Sequence, residues 1–399
     1  MNISKRALKI PASPIRKLIP YADDAKEEGV KVYHLNIGQP DIVTPEQMWS
    51  KIKEVQDKVL SYGPSNGLLE FRKKLSNYYE KHDVDIASED IIVTTGGSEA
   101  ILFAMMVLCD PGDEIIIPEP YYANYNGFAS YAQVNVVPLP TKAENGFRLP
   151  DKKAIESYIS NKTKAIVFSN PGNPTGVVYT KEELEMLLEI AKENDLVLVS
   201  DEVYSEFVYE GEFHSILSLE GAEEYSVITD SISKRYSACG ARIGCLISKN
   251  VELIAAAMKY AQARLCPPTL EQKGAIGALD VPDSYYQDVV NEYDGRRKTL
   301  IEKVNSIVGA FCEPPRGAFY TIVKLPVDDT EKFAKWMLTD FRSNGATTMV
   351  APAAGFYGTP GSGKDEVRLA YILEKEELAK AMDILREGVY AYQKEFNLK

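Results

Sequence analysis

Between residues 89 and 248 the chain alternates short apolar runs with longer segments of helical periodicity. Such alternation is typical of parallel strands joined by helices that cover both faces of a sheet. Parallel strands need crossover connections, so this order leaves few other folds open to the chain. The seven apolar runs are residues 91–94, 114–118, 134–138, 164–169, 196–200, 226–230 and 242–247.

After residue 282 the pattern changes to a long charged helix candidate, residues 283–307, then to mixed signals that end in a helix over 374–396. A chain of 399 residues also exceeds the roughly 250–300 residues at which single cores stop growing. We therefore predict an N-terminal arm and part of a small domain over 1–44. A large domain over 45–282 and a small α+β domain over 283–399 complete the prediction.

Composition excludes several classes of protein. The net charge of -13 argues against a nucleic-acid surface, which carries an excess of basic residues. The first 20 residues lack a signal-type apolar core, and no run of apolar residues is long enough for a membrane span, so we expect a cytoplasmic protein that does not bind membranes. Five cysteines without a Cys-x-x-Cys pair and three isolated histidines predict neither disulfides nor a metal site.

Two glycine- and proline-rich clusters follow predicted strands at their carboxyl ends, where open α/β sheets bind ligands. Gly97, Ser98 and Glu99 open a helix, and the free N–H groups of a helix N-terminus bind anions. The segment 170–176, NPGNPTG, contains two Asn-Pro steps that force an extended, rigid turn. Such a turn holds the Asn173 amide in a fixed direction.

Two charged clusters follow the next two strands. Asp201 ends a buried strand, so its carboxylate needs a positive group beside it, and Tyr204 follows three residues later. Lys234 ends another buried strand, which is a poor place for a structural lysine but a good one for a desolvated, imine-forming nucleophile.

Phosphate-binding side chains accompany that lysine. The Arg242 guanidinium can clamp a phosphate through two hydrogen bonds. The hydroxyls of Ser231 and Ser233 lie close to Lys234 in the sequence and add further donors.

A second phosphate motif competes with these clusters. Residues 358–364, GTPGSGK, have the spacing of a nucleotide-binding P-loop. However, Asp365 replaces the Ser or Thr that ligates magnesium, and residues 367–372 resemble a strand where a helix should begin. Nucleotide binding by this segment is therefore kept as an alternative function.

In this order the motifs resemble the class I/II aminotransferases of pyridoxal 5'-phosphate (PLP) fold type I, specifically the aspartate aminotransferase-like branch. The most specific elements are Ser-x-Ser-Lys, with Arg242 eight residues after Lys234, Asn173-Pro174-Thr175-Gly176, and Asp201-x-x-Tyr204. The likeness covers nearly the whole chain. It implies an α/β fold with a large domain, built on a mostly parallel seven-stranded sheet covered by helices, and a smaller α+β domain.

The resemblance also assigns roles to residues. It implies that Lys234 forms the aldimine with PLP, that Asp201 pairs with the pyridine nitrogen, and that Tyr204 and Asn173 hydrogen-bond the ring oxygen. Tyr122 matches a ring that stacks on the cofactor, although tryptophan is common there. The phosphate would be held by the backbone of Gly97, Ser98 and Glu99 and by Ser231, Ser233 and Arg242.

The remaining assignments concern the substrate and a second subunit. Arg368 matches the arginine that binds the substrate α-carboxylate, with Asn173 beside it and Gly38 as a backbone contact. Tyr62 resembles a tyrosine that reaches the phosphate of the neighbouring subunit, which implies a homodimer with shared sites.

The implied activity is transfer of an amino group between an L-amino acid and a 2-oxo acid such as 2-oxoglutarate, with ping-pong kinetics through pyridoxamine phosphate. Aspartate is the first expectation, and aromatic amino acids or alanine are further candidates. A β-lyase of the same fold remains an alternative, because the cofactor residues are shared. No residue for the substrate side chain is identified from the sequence.

Overall fold

The computed structural model describes residues 2–10 and 13–398. The strands are β1 (Lys31–His34), β2 (Ile91–Thr94), β3 (Glu114–Glu119), β4 (Asn135–Pro140), β5 (Thr163–Ser169), β6 (Val197–Asp201), β7 (Ser226–Ser231), β8 (Gly244–Ile247), β9 (Tyr320–Lys324), β10 (Ala346–Met349), β11 (Ala351–Pro352) and β12 (Glu366–Ala370). The helices are α1 (Lys5–Lys9), α2 (Ile19–Glu27), α3 (Glu46–Lys53), α4 (Leu69–Glu80), α5 (Gly96–Leu108), α6 (Asn124–Ala132), α7 (Lys152–Glu156), α8 (Lys181–Asn194), α9 (Ile232–Arg235), α10 (Val251–Arg264), α11 (Thr269–Ala278), α12 (Asp283–Asn305), α13 (Thr330–Thr339) and α14 (Lys375–Glu395).

A seven-stranded sheet in the order β2-β8-β7-β6-β5-β3-β4 forms the centre of the molecule. Strand β8 runs antiparallel to both neighbours, β2 and β7, and all other pairs are parallel. Every predicted strand of this sheet is present, with ends that differ by at most two residues. The predicted fold class is confirmed.

The sheet is buried on both faces, as strand β2 illustrates. Ile91 and Val93 belong to one hydrophobic cluster, and Ile92, which lies between them, belongs to another. All three side chains are fully buried. Because successive strand residues point to opposite faces, the unbroken apolar run is what a sheet covered by helices on both sides requires.

Helix signals in the sequence are also confirmed. Thr180 and Glu183 form a capping box at the start of α8, with reciprocal side-chain to backbone hydrogen bonds. The two long helices predicted after residue 282 are present as α12 and α14.

The N-terminal and C-terminal parts of the chain pack together. Strand β1 pairs in parallel with β10, and β9, β12 and β11 form a separate antiparallel sheet. Leu18 and Leu35 are buried in the same hydrophobic cluster as residues of β9, β12 and α14. The division of the chain at residues 44 and 282 stays a prediction.

Within the described ranges, no helix combines the length and the apolar character needed to cross a membrane.

Candidate active site

A cavity of about 450 Å³ lies where the carboxyl ends of the central strands meet the start of α5. Its position agrees with the rule that ligands bind beyond the carboxyl ends of parallel strands. Most of the site residues predicted from the sequence line this one cavity. They are Gly97, Ser98, Tyr122, Asn173, Asp201, Tyr204, Ser231, Ser233, Lys234 and Arg242.

Lys234 projects into the cavity from α9, a single turn directly after β7. Its Nζ donates a hydrogen bond to the Gly38 carbonyl at 2.8 Å and lies 3.7 Å from Cys239 Sγ. A Cβ on residue 38 would lie 1.7 Å from the Tyr320 hydroxyl oxygen, so only glycine fits at this contact. The structure therefore brings the predicted nucleophile and the predicted Gly38 contact together.

A buried ion pair holds the turn that carries Lys234. Asp230 and Arg235 lie at the two ends of this turn, and their side chains form a salt bridge with almost no exposure. Asp230 also accepts hydrogen bonds from the Ser231 N–H at 2.6 Å and from the Tyr79 hydroxyl at 2.8 Å. Because both ends of the turn are fixed, the starting point of the lysine side chain is fixed as well.

Asp201 ends β6 and is buried in the cavity wall. Its Oδ2 accepts a hydrogen bond from the Tyr125 hydroxyl at 2.8 Å, and no ion pair to it is formed within the described ranges. Burial raises the pKa of the Asp201 carboxyl to about 6, and the hydrogen bonds from Tyr125 and the Val203 N–H only partly oppose this. A cationic ligand beside Asp201 would therefore be strongly favoured.

Donors for an anion converge at the start of α5. The guanidinium of Arg242 packs so closely on Gly96 that a Cβ there would lie 2.4 Å from Arg242 Nη2. The Ser231 and Ser233 hydroxyl oxygens lie 2.6 Å apart on the same side of the cavity. A helix N-terminus, a guanidinium and two hydroxyls are together the donor set of a phosphate site.

Neutral hydrogen-bonding groups connect the middle of the cavity. The Asn173 amide donates to the Tyr204 hydroxyl at 3.5 Å, which donates to the Tyr320 hydroxyl at 3.1 Å. Tyr320 in turn donates to the Gly38 carbonyl at 3.3 Å. Burial holds the pKa of Tyr204 well above its usual range, so its phenol stays protonated and can donate.

Arg368 lies on β12 and is 2% exposed. It donates to the Asn173 side-chain oxygen at 3.2 Å and to the Asn36 carbonyl at 2.6 Å, and it stacks on the Tyr320 ring. Its Nε has no hydrogen-bond partner within the described ranges, and no acid pairs with it there. Burial lowers the pKa of this guanidinium. A buried cation without a counter-charge favours an anionic ligand.

Two other predicted site residues are not among those that line the cavity. The predicted role of Glu99 concerns its backbone N–H in the first turn of α5, which the direction of its side chain does not test. The Glu99 carboxylate turns back to the Thr95 N–H at 2.7 Å and forms an ion pair with Arg264. Tyr62 is 82% exposed and does not line the cavity. Its predicted role concerns a neighbouring subunit, which a single chain does not test.

The sequence reasoning missed several residues that line or support the cavity. Tyr125 lies only three residues after the predicted Tyr122, and this spacing was its one available signal. Cys239 lies between the predicted Lys234 and Arg242, and this position was its one available signal. Tyr320 and Arg16 carried no sequence signal, because tertiary contacts bring them to the site.

The competing motif at residues 358–364 has no phosphate-binding geometry. Strand β12, not a helix, follows it. The N–H groups of Gly358 and Thr359 donate to the Glu119 carboxylate at 2.8 and 3.0 Å. A carboxylate already occupies these donors, so the segment does not support the nucleotide-binding alternative.

Comparison with known proteins agrees with this geometry. Residues 30–386 match the family described as aminotransferase class I and II. The aromatic-amino-acid aminotransferase 2 of Thermococcus litoralis is 34% identical over 397 residues, 96% of this chain and 97% of the relative. The aspartate aminotransferase of Pyrococcus horikoshii is 31% identical over 97% of both chains.

Solved structures show the same similarity. An alanine aminotransferase from Pyrococcus furiosus superposes with a TM-score of 0.90 at 32% identity, covering 98% of this chain and all of the other. The aspartate aminotransferase of Thermus thermophilus, solved with maleate, superposes with a TM-score of 0.88 at 30% identity, covering 97% of this chain and 100% of the other.

Proposed function

Because the chain belongs to the class I and II aminotransferases, which are PLP-dependent transaminases, we propose that its cavity transfers an amino group from an L-amino acid to a 2-oxo acid such as 2-oxoglutarate. The observation that carries this proposal is the Lys234 amine, held in one cavity with the buried acid Asp201 and with the cluster of anion donors around Arg242.

The residues present fit PLP, group by group. The cofactor carries an aldehyde, a basic ring nitrogen and a phosphate. Lys234 would bind the aldehyde, and Asp201 would hold a proton on the ring nitrogen. Arg242 would hold the phosphate, together with the α5 N-terminus and the hydroxyls of Ser231 and Ser233. Asp201 supports the fit most directly, because it is a buried carboxylate that forms no ion pair with any residue the structure describes.

Bound PLP supplies an electron sink that stabilises negative charge at the substrate Cα. Lys234, which lines the cavity, would accept the proton from that Cα and deliver it to the former aldehyde carbon of the cofactor, so that the amino group stays with the cofactor. Arg368 binds the substrate α-carboxylate and so orients the Cα–H bond toward Lys234. Tyr204 and Asn173 hold the cofactor ring through its oxygen, and Tyr122 lies in the cavity wall where an aromatic ring can stack.

The substrate side chain is the finer part of the proposal. The relatives are named as aspartate, aromatic-amino-acid and alanine aminotransferases. We propose aspartate as the first amino donor, with aromatic amino acids and alanine as the other candidates, and 2-oxoglutarate as acceptor.

We also propose a cytoplasmic homodimer in which Tyr62 reaches the phosphate site of the other subunit. The support is an exposed apolar surface around this residue, since Val59, Leu60, Tyr62 and Leu265 are 73%, 59%, 82% and 51% exposed. Gly63 lies against Cys266, so the exposed residues at 59–62 and at 265 lie close together. Exposed apolar patches of this kind are typical of subunit interfaces.

The attachment site is tested by reducing the purified yellow holoprotein with borohydride, digesting it and mapping the modified peptide. The adduct should lie on Lys234, and Lys234→Ala should abolish both the adduct and amino transfer. Lys249→Ala is a matched control, because this lysine lies on the surface beside Asp85. An adduct on any other peptide would refute the assignment.

The reaction type is tested with a panel of amino donors, watching which of them bleach the bound cofactor. An aminotransferase then regains its colour when a 2-oxo acid is added. A β-lyase would instead release pyruvate and ammonia from cysteine-type substrates.

A further inference from the structure

Arg16 is a cation at the cavity to which no function has been assigned. It lines the same cavity as Lys234, Tyr122 and Asn124, and it is exposed to solvent. Within the described ranges, its guanidinium makes no hydrogen bond and no ion pair. The backbone N–H of Arg16 is bound to the Ser13 carbonyl at 3.2 Å. The side chain is therefore free to meet a ligand.

The residues around Arg16 are anchored away from the cavity. Ile15 packs against the central hydrophobic core, and Leu18 is buried in the cluster of the N- and C-terminal elements. Lys17 forms an ion pair with Glu331 at the start of α13. Pro14 packs against Gly355, where a Cβ would lie 2.3 Å from Pro14 Cβ. These contacts fix the backbone on both sides and leave the Arg16 side chain at the cavity mouth.

The charges of the cavity are unbalanced. Among the described residues, its lining contains the three bases Arg16, Lys234 and Arg242 and one acid, Asp201. In the proposed complex with PLP, three of these four charged residues have a partner. Lys234 would bind the aldehyde, Arg242 the phosphate and Asp201 the ring nitrogen. Arg16 is left without a counter-charge. The rest of the lining consists of neutral groups, among them Tyr122, Asn124 and Ile101.

We propose that Arg16 binds the side-chain carboxylate of a dicarboxylic amino acid or 2-oxo acid. This inference rests on the proposed function, since it presumes that the α-carboxylate of the same molecule meets Arg368. The planar fork of a guanidinium matches a carboxylate through two parallel hydrogen bonds. A substrate with two acidic groups would then be held at both ends, whereas a monocarboxylic substrate leaves Arg16 in water.

The test measures the binding of two non-reacting ligands of equal carbon number to the holoenzyme by calorimetric titration. Succinate carries two carboxylates and butyrate carries one. The variants are Arg16→Gln, Arg16→Lys as a conservative rescue, and Lys26→Gln as a matched control that removes an exposed positive charge of α2 paired only with Asp23 among the described residues. Rapid-mixing measurements of cofactor bleaching by aspartate, glutamate, alanine and tyrosine accompany the titrations.

Arg16→Gln should weaken succinate binding roughly 10- to 100-fold, the range for hydrogen bonds to charged groups. Butyrate binding should change less than about 2-fold, because the lost hydrogen bonds are to a carboxylate that butyrate lacks. Bleaching by aspartate and glutamate should slow by a similar factor, and bleaching by alanine should not. Arg16→Lys should recover part of the succinate affinity, and Lys26→Gln should behave as the parent protein.

Three results would overturn the inference. The first is unchanged succinate affinity in Arg16→Gln. The second is an equal loss for butyrate, which would indicate a general disturbance of the site. The third is a selective loss for tyrosine, which would make Arg16 a stacking surface for aromatic side chains. If no donor bleached the cofactor of the parent protein, the proposed function would fail instead, while succinate titration would still report on Arg16.

Discussion

Replacing Asp201 with asparagine should reveal the cost of burying this carboxylate in the cofactor-free protein. Its pKa rises from the usual 3.8 to about 6 in the folded protein, chiefly because of burial. A rise of this size corresponds to about 3 kcal/mol of destabilisation at neutral pH. Asp201→Asn keeps the shape and an oxygen that can accept from Tyr125, but it removes the charge. We therefore expect the variant to be more stable than the parent protein at neutral pH.

The pH dependence decides the test, and its sign follows from the direction of the pKa change. Below about pH 4 the Asp201 carboxyl is protonated in both the folded and the unfolded chain, so it costs nothing. Between about pH 4 and about pH 6 only the folded chain keeps the proton, and stability falls as pH rises. The advantage of Asp201→Asn should therefore grow across this window and reach its full value above it.

The assay is urea unfolding of both cofactor-free proteins from about pH 4 to about pH 8, comparing their free energies of unfolding. Burial also raises the pKa of Glu202, to about 8, but this residue is present in both proteins and cancels in the difference. Adding PLP should remove the advantage of the variant, because a cationic ring nitrogen would stabilise the Asp201 carboxylate. A stability difference that stays flat across the whole range would refute the reasoning.

Two further substitutions test the surroundings of the site. Tyr125→Phe removes a 2.8 Å hydrogen bond to Asp201, and a hydrogen bond to a charged group contributes about 1.5–3 kcal/mol. The affinity for PLP, measured by spectral titration, should therefore fall. An unchanged affinity would contradict this role of Tyr125. Gly244→Ala places a Cβ 2.4 Å from Gly96 C and 2.6 Å from Gly97 N, so it should displace the turn that is proposed to hold the phosphate. A strain of about 1–3 kcal/mol would weaken PLP binding about 5- to 150-fold. Gly240→Ala, where the Cβ meets open space, is the control, and equal effects of the two alanines would argue against this explanation.

The central sheet was predictable because its strands are buried on both faces. Each strand is then a short unbroken apolar run, and the polar residues at its carboxyl end mark where the run stops. The order of the strands was not predictable in the same way. Nothing in the residues of β8 indicates that it lies between β2 and β7 and runs against both, because that position depends on long-range packing.

The site was predictable where a residue had to lie next to a strand end. Asp201 and Lys234 were identified as candidates because burying a charge at the end of a strand is energetically unfavourable without a partner. Arg368 looked like an ordinary residue of an alternating strand, and only the family resemblance singled it out. Tyr320 and Arg16 have no such local context. Tyr320 reaches Gly38 from a strand 282 positions away, and Arg16 reaches the cavity because its neighbours are anchored elsewhere.

The two buried charges of the site, Asp201 and Arg368, favour two separate ligand groups of opposite charge. Asp201 and Arg368 have opposite charges, yet they do not neutralise each other. Neutral groups lie between them, because Asn173 bonds both to Arg368 and, through its amide, to the Tyr204 hydroxyl. Neither buried charge is neutralised by the other, so each favours the binding of a group of the opposite charge. A cation beside Asp201 would neutralise the carboxylate, and a carboxylate beside Arg368 would neutralise the guanidinium. If the proposed roles of Asp201, Arg368 and Lys234 hold, the substrate Cα would lie between the two charges, and Lys234 would move its proton.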